Sequence, residues 1–232
     1  MTFKKIYSKL KKLFIVLLLL LIAFFSYVEI VNRNSVNMTY RQKLLKTVYP
    51  AWMWWLNLTG KNTTKLAPKN TNPTIPFYSL KDTLINGTPF NFDSLKGKKI
   101  LLVNTASDCG YTGQYADLQK LSEKYKEKLA VIGFPANDFK EQEKGGNAEI
   151  AQFCKINFGV NFPLMKKSSV VKGANQNEIF NWLTNASKNG WNDKQPTWNF
   201  CKYLVDENGR LVNYFGSSVE PFSTELINAI KK

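Results

Sequence analysis

Histidine is absent from all 232 residues of the sequence, and cysteine occurs only three times, at Cys109, Cys154 and Cys201. The missing histidine excludes Cys–His and Ser–His catalysis. Without histidine, and without any CxxC pair, no zinc site is expected and no metal is predicted. An odd number of widely spaced cysteines also excludes a disulfide scaffold. Any nucleophile in this chain must therefore be activated by backbone dipoles, amides, an indole or a lysine.

Acidic residues are scarce in the first third of the chain. Residues 1–72 hold 12 Lys/Arg and a single acid, Glu29, whereas residues 73–232 hold 20 Lys/Arg and 16 Asp/Glu. Most of the net charge of +15 therefore belongs to the N-terminal arm. This distribution favours contact with a membrane surface rather than with nucleic acid. The remaining length suits one ordinary domain, and an apolar content of 44% is ample for its core.

Charged residues are also absent from residues 13–28, an apolar, leucine-rich run that follows five lysines. With its flanks the run approaches the ~20 residues needed to cross a bilayer. No Ala-x-Ala-like cleavage site and no lipid-attachment cysteine follow it, so an uncleaved transmembrane anchor is predicted within residues 1–32. The lysines should stay in the cytoplasm, which puts the rest of the chain on the extracytoplasmic side, in the periplasm of a double-membrane bacterium.

Residues 33–76 are expected to join this anchor to the folded domain. Tryptophans clustered beside lysines in residues 41–58 suit the headgroup layer of a membrane, and they equally suit a hydrophobic stalk that packs on the domain. The sequence does not decide between these two interpretations. Residues 61–76 are polar and rich in Pro, Asn and Thr, a composition typical of a linker. The folded domain is therefore predicted to comprise residues 77–232.

Strand and helix patterns alternate along that domain. Buried strands are indicated at residues 100–104 and 130–134. Apolar spacings of three and four predict helices at residues 114–125, 147–157, 175–187 and 223–230. Turn residues predict two hairpins, one pairing residues 77–80 with 89–92 and the other pairing 203–205 with 211–214. The order predicts an α/β, thioredoxin-like fold, with a central mixed sheet flanked by helices, preceded by the N-terminal transmembrane helix.

Cys109 lies where the first buried strand gives way to a helix. Unpaired N–H groups and the positive end of the helix dipole at such a position favour a thiolate over a thiol. A buried structural cysteine is the alternative interpretation. Small and polar neighbours, rather than an apolar run, flank Cys109 and favour the reactive one.

Three segments in order resemble the motifs of the glutathione peroxidase family. Residues 104–112 (NTASDCGYT) resemble its NVASxCGxT signature, residues 134–143 (FPANDFKEQE) its FPCNQFxxQE segment, and residues 198–206 (WNFCKYLVD) its WNFxKFLVD block. The resemblance implies a peroxidase without a cofactor that reduces hydrogen peroxide or organic and lipid hydroperoxides in defence against oxidative stress. Cysteine stands at the family's selenocysteine position, so the enzyme should be slower than the selenium members.

The resemblance implies a catalytic tetrad of Cys109, Gln142, Trp198 and Asn199, with Cys109 as the peroxidatic residue. The side-chain N–H groups of the other three can donate to a thiolate and so depress its pKa. Cys154 falls at the resolving position of thioredoxin-dependent members, although its helix face alone would suggest a half-buried structural residue. A disulfide between Cys109 and Cys154 would require the helix at 147–157 to unwind. Cys201 is expected to be structural.

A resolving cysteine implies a thioredoxin-like protein, rather than glutathione, as the thiol reductant. The short segment between Trp182 and Trp198 resembles family members that lack the loop of tetrameric relatives, which implies a monomer. Two other functions are weighed against this one. A membrane-tethered thiol–disulfide oxidoreductase would normally contain CxxC, and a non-catalytic thioredoxin-fold binding module would not need the tetrad. Nothing in the sequence selects the preferred peroxide.

Overall fold

A computed structural model of the chain describes residues 3–59, 63–68 and 71–232. Residues 1 and 2 of the predicted anchor lie outside this description, as do residues 61, 62, 69 and 70 of the predicted linker and the side chains of Lys4 and Lys5. The described helices are α1 (Phe3–Val31), α2 (Tyr40–Leu58), α3 (Gln114–Lys124), α4 (Asn147–Phe158), α5 (Glu178–Leu183), α6 (Ala186–Asn189) and α7 (Thr224–Lys231). The described strands are β1 (Thr64–Leu66), β2 (Lys81–Thr83), β3 (Pro89–Asn91), β4 (Lys99–Thr105), β5 (Leu129–Pro135), β6 (Lys202–Val205) and β7 (Leu211–Phe215).

A five-stranded mixed sheet forms the centre of the domain, in the order β1-β7-β6-β4-β5. Strands β4 and β5 run parallel, while β6 is antiparallel to both β4 and β7. All seven residues of β4 are buried, as expected for a strand covered on both faces. One layer of the core contains residues of α3, α4 and α7, and the other contains residues of α5 and of the chain before β4. The predicted thioredoxin-like arrangement, a mixed sheet between helices, is confirmed.

Helix α1 contains the segment Ile6–Val31, which is long and apolar enough to cross a membrane. Its apolar side chains are almost all exposed, unlike those of a core helix in a soluble domain. Membrane anchors and signal sequences share this length and composition. The end of α1 contacts α2 through an ion pair between Glu29 and Lys43, with 2.8 Å between Oε2 and Nζ. A hydrogen bond from the Asn32 amide to the Thr47 hydroxyl, 2.9 Å long, lies beside it.

Helix α2 packs on the domain through one face. Tyr49, Met53 and Leu56 are buried there, and Tyr111 of the domain packs against them. Three tryptophans of this helix are roughly half exposed, namely Trp52, Trp54 and Trp55. The segment 41–58 is thus a stalk that rests on the domain, and its outward aromatic face is of the kind that suits a headgroup layer.

Part of the predicted linker belongs to the sheet instead. Strand β1 pairs antiparallel with β7, with Thr64 opposite Phe215 and Leu66 opposite Asn213. The prediction of a linker over residues 61–76 is therefore wrong for these three residues. An extended polar segment beside an open sheet edge can satisfy the unpaired backbone groups of that edge, which composition alone does not reveal.

The first predicted hairpin is correct in its turn and wrong in one arm. Gly87 has a φ of 89°, as a turn at Asn86-Gly87 requires. Strand β3 pairs with β2, however, and the predicted arm from Phe77 is a short 3₁₀ helix, Phe77–Ser79. The Phe77 ring packs against Phe92 and Trp182, with centroids 5.0 and 5.2 Å apart. This contact directs the segment into the core rather than along a hairpin.

The helix predicted over residues 175–187 is divided into α5 and α6. The Asn177 side chain accepts a hydrogen bond from the Ile179 N–H and begins α5. The Asn185 side chain accepts a hydrogen bond from the Ser187 N–H and begins α6. Asparagine competes with the helical backbone in this way, so the apolar periodicity overestimates the length of the helix.

Candidate active site

The topology of the sheet brings the three motifs to one edge. Strands β4 and β5 are parallel and in register, with Thr105 opposite Pro135, so the loops that follow them leave the sheet side by side. These loops carry Cys109 and Gln142. Strand β6 is antiparallel to β4, with Val103 opposite Lys202, so the segment that precedes β6 reaches the same edge. That segment carries Trp198 and Asn199, and the four residues of the predicted tetrad are thereby neighbours.

The loop that holds Cys109 is closed by a threonine. The hydroxyl of Thr112 accepts a hydrogen bond from the Cys109 N–H at 3.0 Å and donates one to the Ala106 carbonyl at 2.8 Å. The N–H of Tyr111 lies 3.4 Å from the Cys109 sulfur. Helix α3 begins directly after this loop, at Gln114. The sulfur therefore faces the backbone N–H of Tyr111 at the strand-to-helix junction.

Burial and hydrogen bonding act on Cys109 in opposite directions. The side chain is fully buried, and loss of solvation raises the pKa of its thiol above the usual value. Hydrogen bonds from the Tyr111 N–H and from the side chains of Trp198 and Asn199 lower that pKa, and so does the charge of Arg41. The donors therefore act in the predicted direction, but burial is the larger influence and the thiol pKa lies above its usual value. The donors limit the cost of forming the thiolate without removing it.

Gln142 contributes differently from its predicted role. Its Oε1 accepts a hydrogen bond from the Asn199 amide at 3.0 Å, and its backbone carbonyl accepts one from the Asp108 N–H at 3.0 Å. Among the described residues it is not one of the donors to the Cys109 sulfur. Gln142 thus orients Asn199 and supports the Cys109 loop, rather than donating directly to a thiolate.

Asn104 organises the segment that carries Trp198 and Asn199. Its side-chain amide donates to the Trp198 carbonyl at 3.0 Å, and its side-chain oxygen accepts from the Cys201 N–H at 3.0 Å. Its backbone carbonyl accepts from the N–H of Phe200, a non-glycine residue with a φ of 65°. Such a backbone conformation is costly unless its surroundings hold it. Asn104 is the first residue of the motif at 104–112, and no sequence pattern around it predicts that it holds the segment with Trp198 and Asn199.

Cys154 lies on the inner face of α4 and belongs to the same core layer as Cys109. It is fully buried, and burial raises the pKa of its thiol to about 12, with the charge of Glu143 acting in the same direction. The expectation from the helix face alone, a half-buried residue, is therefore wrong. Both thiols are free, and α4 is continuous through Cys154.

Cys201 occupies a separate environment on the other side of the sheet. The Tyr214 hydroxyl donates to its sulfur at 3.3 Å, and the Ser217 hydroxyl lies 3.4 Å away. The preceding Phe200 belongs to the core layer of Cys109, so the two neighbours point to opposite layers. Cys201 directly precedes β6 and is fully buried. These contacts suit the structural role predicted for it.

Glu143 is a buried acid at the end of the motif at 134–143, and no role is predicted for it from the sequence. It is 1% exposed, and its carboxylate accepts a hydrogen bond from the Ser107 hydroxyl at 3.1 Å. Burial raises the pKa of this carboxyl to about 7, and the neighbouring charge of Asp108 acts in the same direction. The loop before Cys109 is therefore tied to the loop after β5 by a group that titrates near neutral pH.

Known proteins are similar to this chain in sequence and in fold. A family profile described as glutathione peroxidase matches residues 77–184. The chain is 43% identical over 153 residues to glutathione peroxidase-like peroxiredoxin 2 of Saccharomyces cerevisiae, and the alignment covers 66% of this chain and 94% of the yeast protein. It is 45% identical over 137 residues to the glutathione peroxidase homolog BsaA of Staphylococcus epidermidis, with 59% of this chain and 85% of that protein covered.

Solved structures give a consistent result. The crystal structure of Trgpx in apo form is 30% identical to this chain with a TM-score of 0.52, covering 68% of this chain and 97% of that one. The crystal structure of T. cruzi GPX1 is 26% identical, also with a TM-score of 0.52, covering 67% and 97%. Helices α1 and α2 lie upstream of the segment that the family profile matches.

Proposed function

This chain belongs to the glutathione peroxidase family and is a peroxidase of that family, and we propose that it works as a two-cysteine thiol peroxidase with Cys109 as the peroxidatic residue and Cys154 as the resolving one. Its substrates are hydrogen peroxide and organic hydroperoxides, including lipid hydroperoxides, and its role is defence against oxidative stress. The observation that carries the proposal is the convergence of Trp198 and Asn199 on a buried thiol at the end of β4.

In the first step the Cys109 sulfur attacks one oxygen of the peroxide. A sulfur–oxygen bond forms and the oxygen–oxygen bond breaks, so the sulfur becomes a sulfenic acid. The leaving oxygen takes the proton that the thiol has lost and departs as water or an alcohol. Donors already directed at the sulfur stabilise its anionic form without themselves carrying charge. This suits a chain that has no histidine.

In the second step the Cys154 sulfur attacks the sulfenic sulfur of Cys109. A disulfide forms, and the hydroxyl leaves as water with the proton of the second thiol. Cys154 lies inside α4, where burial disfavours its thiolate. The step therefore requires α4 to unwind around Cys154, which exposes the thiol and brings the two Cα atoms within about 7 Å.

The third step reduces the disulfide and regenerates both thiols. A thioredoxin-like protein with a pair of thiols reduces the disulfide by exchange, giving its own disulfide in return. The second thiol within the same core layer supports this reductant over glutathione. The enzyme acts as a monomer, consistent with the short connection between α5 and Trp198.

Peroxide consumption by the purified full-length protein tests this proposal. We expect turnover with thioredoxin and thioredoxin reductase, and little with glutathione alone. Cys109→Ser should abolish turnover, whereas Cys201→Ser, which removes the third buried thiol, should retain most of it. Full activity of the Cys109→Ser protein would falsify the assignment. Full turnover with glutathione would remove thioredoxin from the scheme while leaving the peroxidase in place.

The location of the enzyme is proposed from helix α1. Helix α1 anchors the chain as a single-pass membrane protein. The lysines before residue 13 lie in the cytoplasm, and the catalytic domain lies on the extracytoplasmic side of the membrane. A protease added to intact spheroplasts should then digest the domain. Protection of the domain, or recovery of a mature protein that lacks residues 1–32, would contradict an uncleaved anchor in this orientation.

A further inference from the structure

Helix α2 lies outside the segment matched by the family profile, yet it contacts the catalytic loop along its length. The Gln42 amide donates to the Ser107 carbonyl at 3.2 Å. The Trp52 side chain forms a hydrogen bond with Tyr111. The ring of Tyr49 packs so closely on Gly113 that a Cβ there would lie 2.4 Å from it. The element before the domain therefore covers the loop that holds the peroxidatic cysteine.

Arg41, near the start of α2, makes the contact closest in sequence to Cys109. Its guanidinium donates to the Asp108 carbonyl at 3.2 Å and forms an ion pair with the Asp108 carboxylate. Asp108 directly precedes Cys109, and its own N–H is held by the Gln142 carbonyl. The other carboxylate oxygen, Oδ1, is buried and has no hydrogen-bond partner among the described residues. Arg41 is thus the group that compensates this carboxylate.

We propose that Arg41 is a positioning residue of the peroxidatic site, which fixes Asp108 at the base of the catalytic loop and neutralises the carboxylate beside Cys109. The proposal rests on the assignment of Cys109 as the peroxidatic residue. It makes the arm before the domain part of the reactive site as well as the connection to α1.

The charges around Cys109 explain why one arginine matters. The charged or titratable groups near the loop come from several elements. They are Arg41 and Tyr49 from α2, Asp108 and Tyr111 from the loop itself, Glu143 from the loop after β5 with Lys167 beside it, Lys140 over the Trp198 ring, and Cys201 beyond Tyr111. Asp108 and Glu143 are acids, and an ionised acid opposes a thiolate. Lys140 lies 5.6 Å from the centre of the Trp198 ring, on that indole rather than on the loop. Arg41 lowers the pKa of Cys109 through its charge.

The test follows the thiol directly, so it does not depend on peroxidase activity. Full-length protein in detergent is treated with iodoacetamide over a range of pH, and alkylation of Cys109 is quantified by peptide mass spectrometry. In Arg41→Met, alkylation at about pH 7.5 should fall roughly three- to tenfold, because a half-exposed charge shifts a nearby pKa by up to about one unit. Arg41→Lys should keep most of the rate, because it keeps the charge.

Two further variants separate this effect from damage to the fold. Lys43→Met removes a cation two residues away that pairs with Glu29 rather than with the loop, and it should leave alkylation unchanged. Asp108→Asn combined with Arg41→Met should recover most of the lost rate, because the carboxylate that needed compensation is gone. Wild-type alkylation in Arg41→Met, an equal loss in Lys43→Met, or no recovery in the double variant would each overturn the proposal.

Failure of this inference is distinguishable from failure of the proposed function. If Cys109 is not the peroxidatic residue, Cys109→Ser consumes peroxide as the wild type does, while the alkylation series still reports on Arg41. If only the role of Arg41 is wrong, peroxide consumption remains dependent on Cys109, and Arg41→Met leaves the alkylation profile where it was.

Discussion

Cys109 and Cys154 are equally buried, yet their surroundings differ in how well they stabilise a thiolate. Both side chains have no exposed surface, and burial raises the pKa of both thiols. Around Cys109, Trp198 and Asn199 donate hydrogen bonds that oppose this increase. Around Cys154, a hydrogen bond with the Tyr115 side chain also lowers the pKa, but burial and the charge of Glu143 raise it, and the thiol pKa reaches about 12.

The difference shows that burial by itself does not determine whether a cysteine can react. Cys109 lies beside the ends of three strands, where the loops supply the Tyr111 N–H and the side-chain donors of Trp198 and Asn199. Cys154 lies within a helix, whose N–H groups are already used by the helical backbone. A thiol of the first kind can react in place, whereas a thiol of the second kind must first leave its site. The two cysteines thus suit two successive steps of one reaction.

The variant with the largest expected effect on the contrast between the two cysteines is Cys154→Ser. If Cys154 is the resolving thiol, the variant should consume a single equivalent of peroxide and then stop in the presence of thioredoxin, with Cys109 left as a sulfenic acid. The measurement is peroxide consumed per enzyme, with a sulfenic-acid probe located by mass spectrometry. Cys201→Ser is the control, since it removes a buried thiol from the other core layer. Continued cycling of Cys154→Ser would make Cys154 a core residue only.

A second test makes Cys109 more like Cys154 by removing one donor. Trp198→Phe keeps an aromatic ring at the position that packs 5.8 Å from Phe139, although a smaller one, and deletes the indole N–H. A hydrogen bond to a charged group is worth about 1.5–3 kcal/mol, so alkylation of Cys109 near neutral pH should fall about tenfold or more.

The control for this variant is Trp54→Phe, at a tryptophan on the outward face of α2 that is 65% exposed. It should leave the alkylation rate of Cys109 unchanged. An unchanged rate in Trp198→Phe would show that the indole N–H does not stabilise the thiolate, and the contrast between the two cysteines would then rest on the backbone and on Asn199.

Sequence patterns predict the central strands and helices of the domain well, because these elements follow from the local periodicity of apolar residues. The apolar runs of β4 and β5 and the spacing of α3 and α4 lie within a residue or so of the predicted bounds. The four tetrad residues meet because two parallel strands end beside the start of an antiparallel one. That consequence follows from topology alone, once the strands are known.

Long-range contacts explain what the sequence does not reveal. The sign of the pKa shift at Cys109 depends on how completely the domain and α2 cover it, and no local pattern reports this coverage. The role of Asn104 depends on hydrogen bonds to residues 94 to 97 positions away. Strand β1 exists because the edge of β7 lies beside it. Each of these three features depends on residues that are distant in the sequence, so a local sequence pattern does not predict it.

The last effect that we predict concerns stability rather than reactivity, and it arises at Glu143, whose charge also acts on Cys154. Burial raises the pKa of this carboxyl to about 7, above the value of about 4.5 in an unfolded chain, so the folded protein binds its proton more tightly. This contribution to stability is complete below about pH 4.5 and is lost as pH rises through about 7. The free energy of unfolding should therefore fall by on the order of 3 kcal/mol over that interval because of this one group.

Glu143→Gln tests this, because glutamine imitates the protonated acid and does not titrate. Urea unfolding at several pH values should show the variant losing less stability than the wild type between about pH 4.5 and 7. Glu141→Gln, at a side chain that is 73% exposed and paired with Lys144, is the matched control and should follow the wild type. The same Glu143→Gln protein should also alkylate slightly faster at Cys154, since a carboxylate that opposes that thiolate has been removed. Parallel pH profiles for Glu143→Gln and the wild type would mean that the folded protein holds Glu143 ionised, with Lys167 offsetting the cost of its burial.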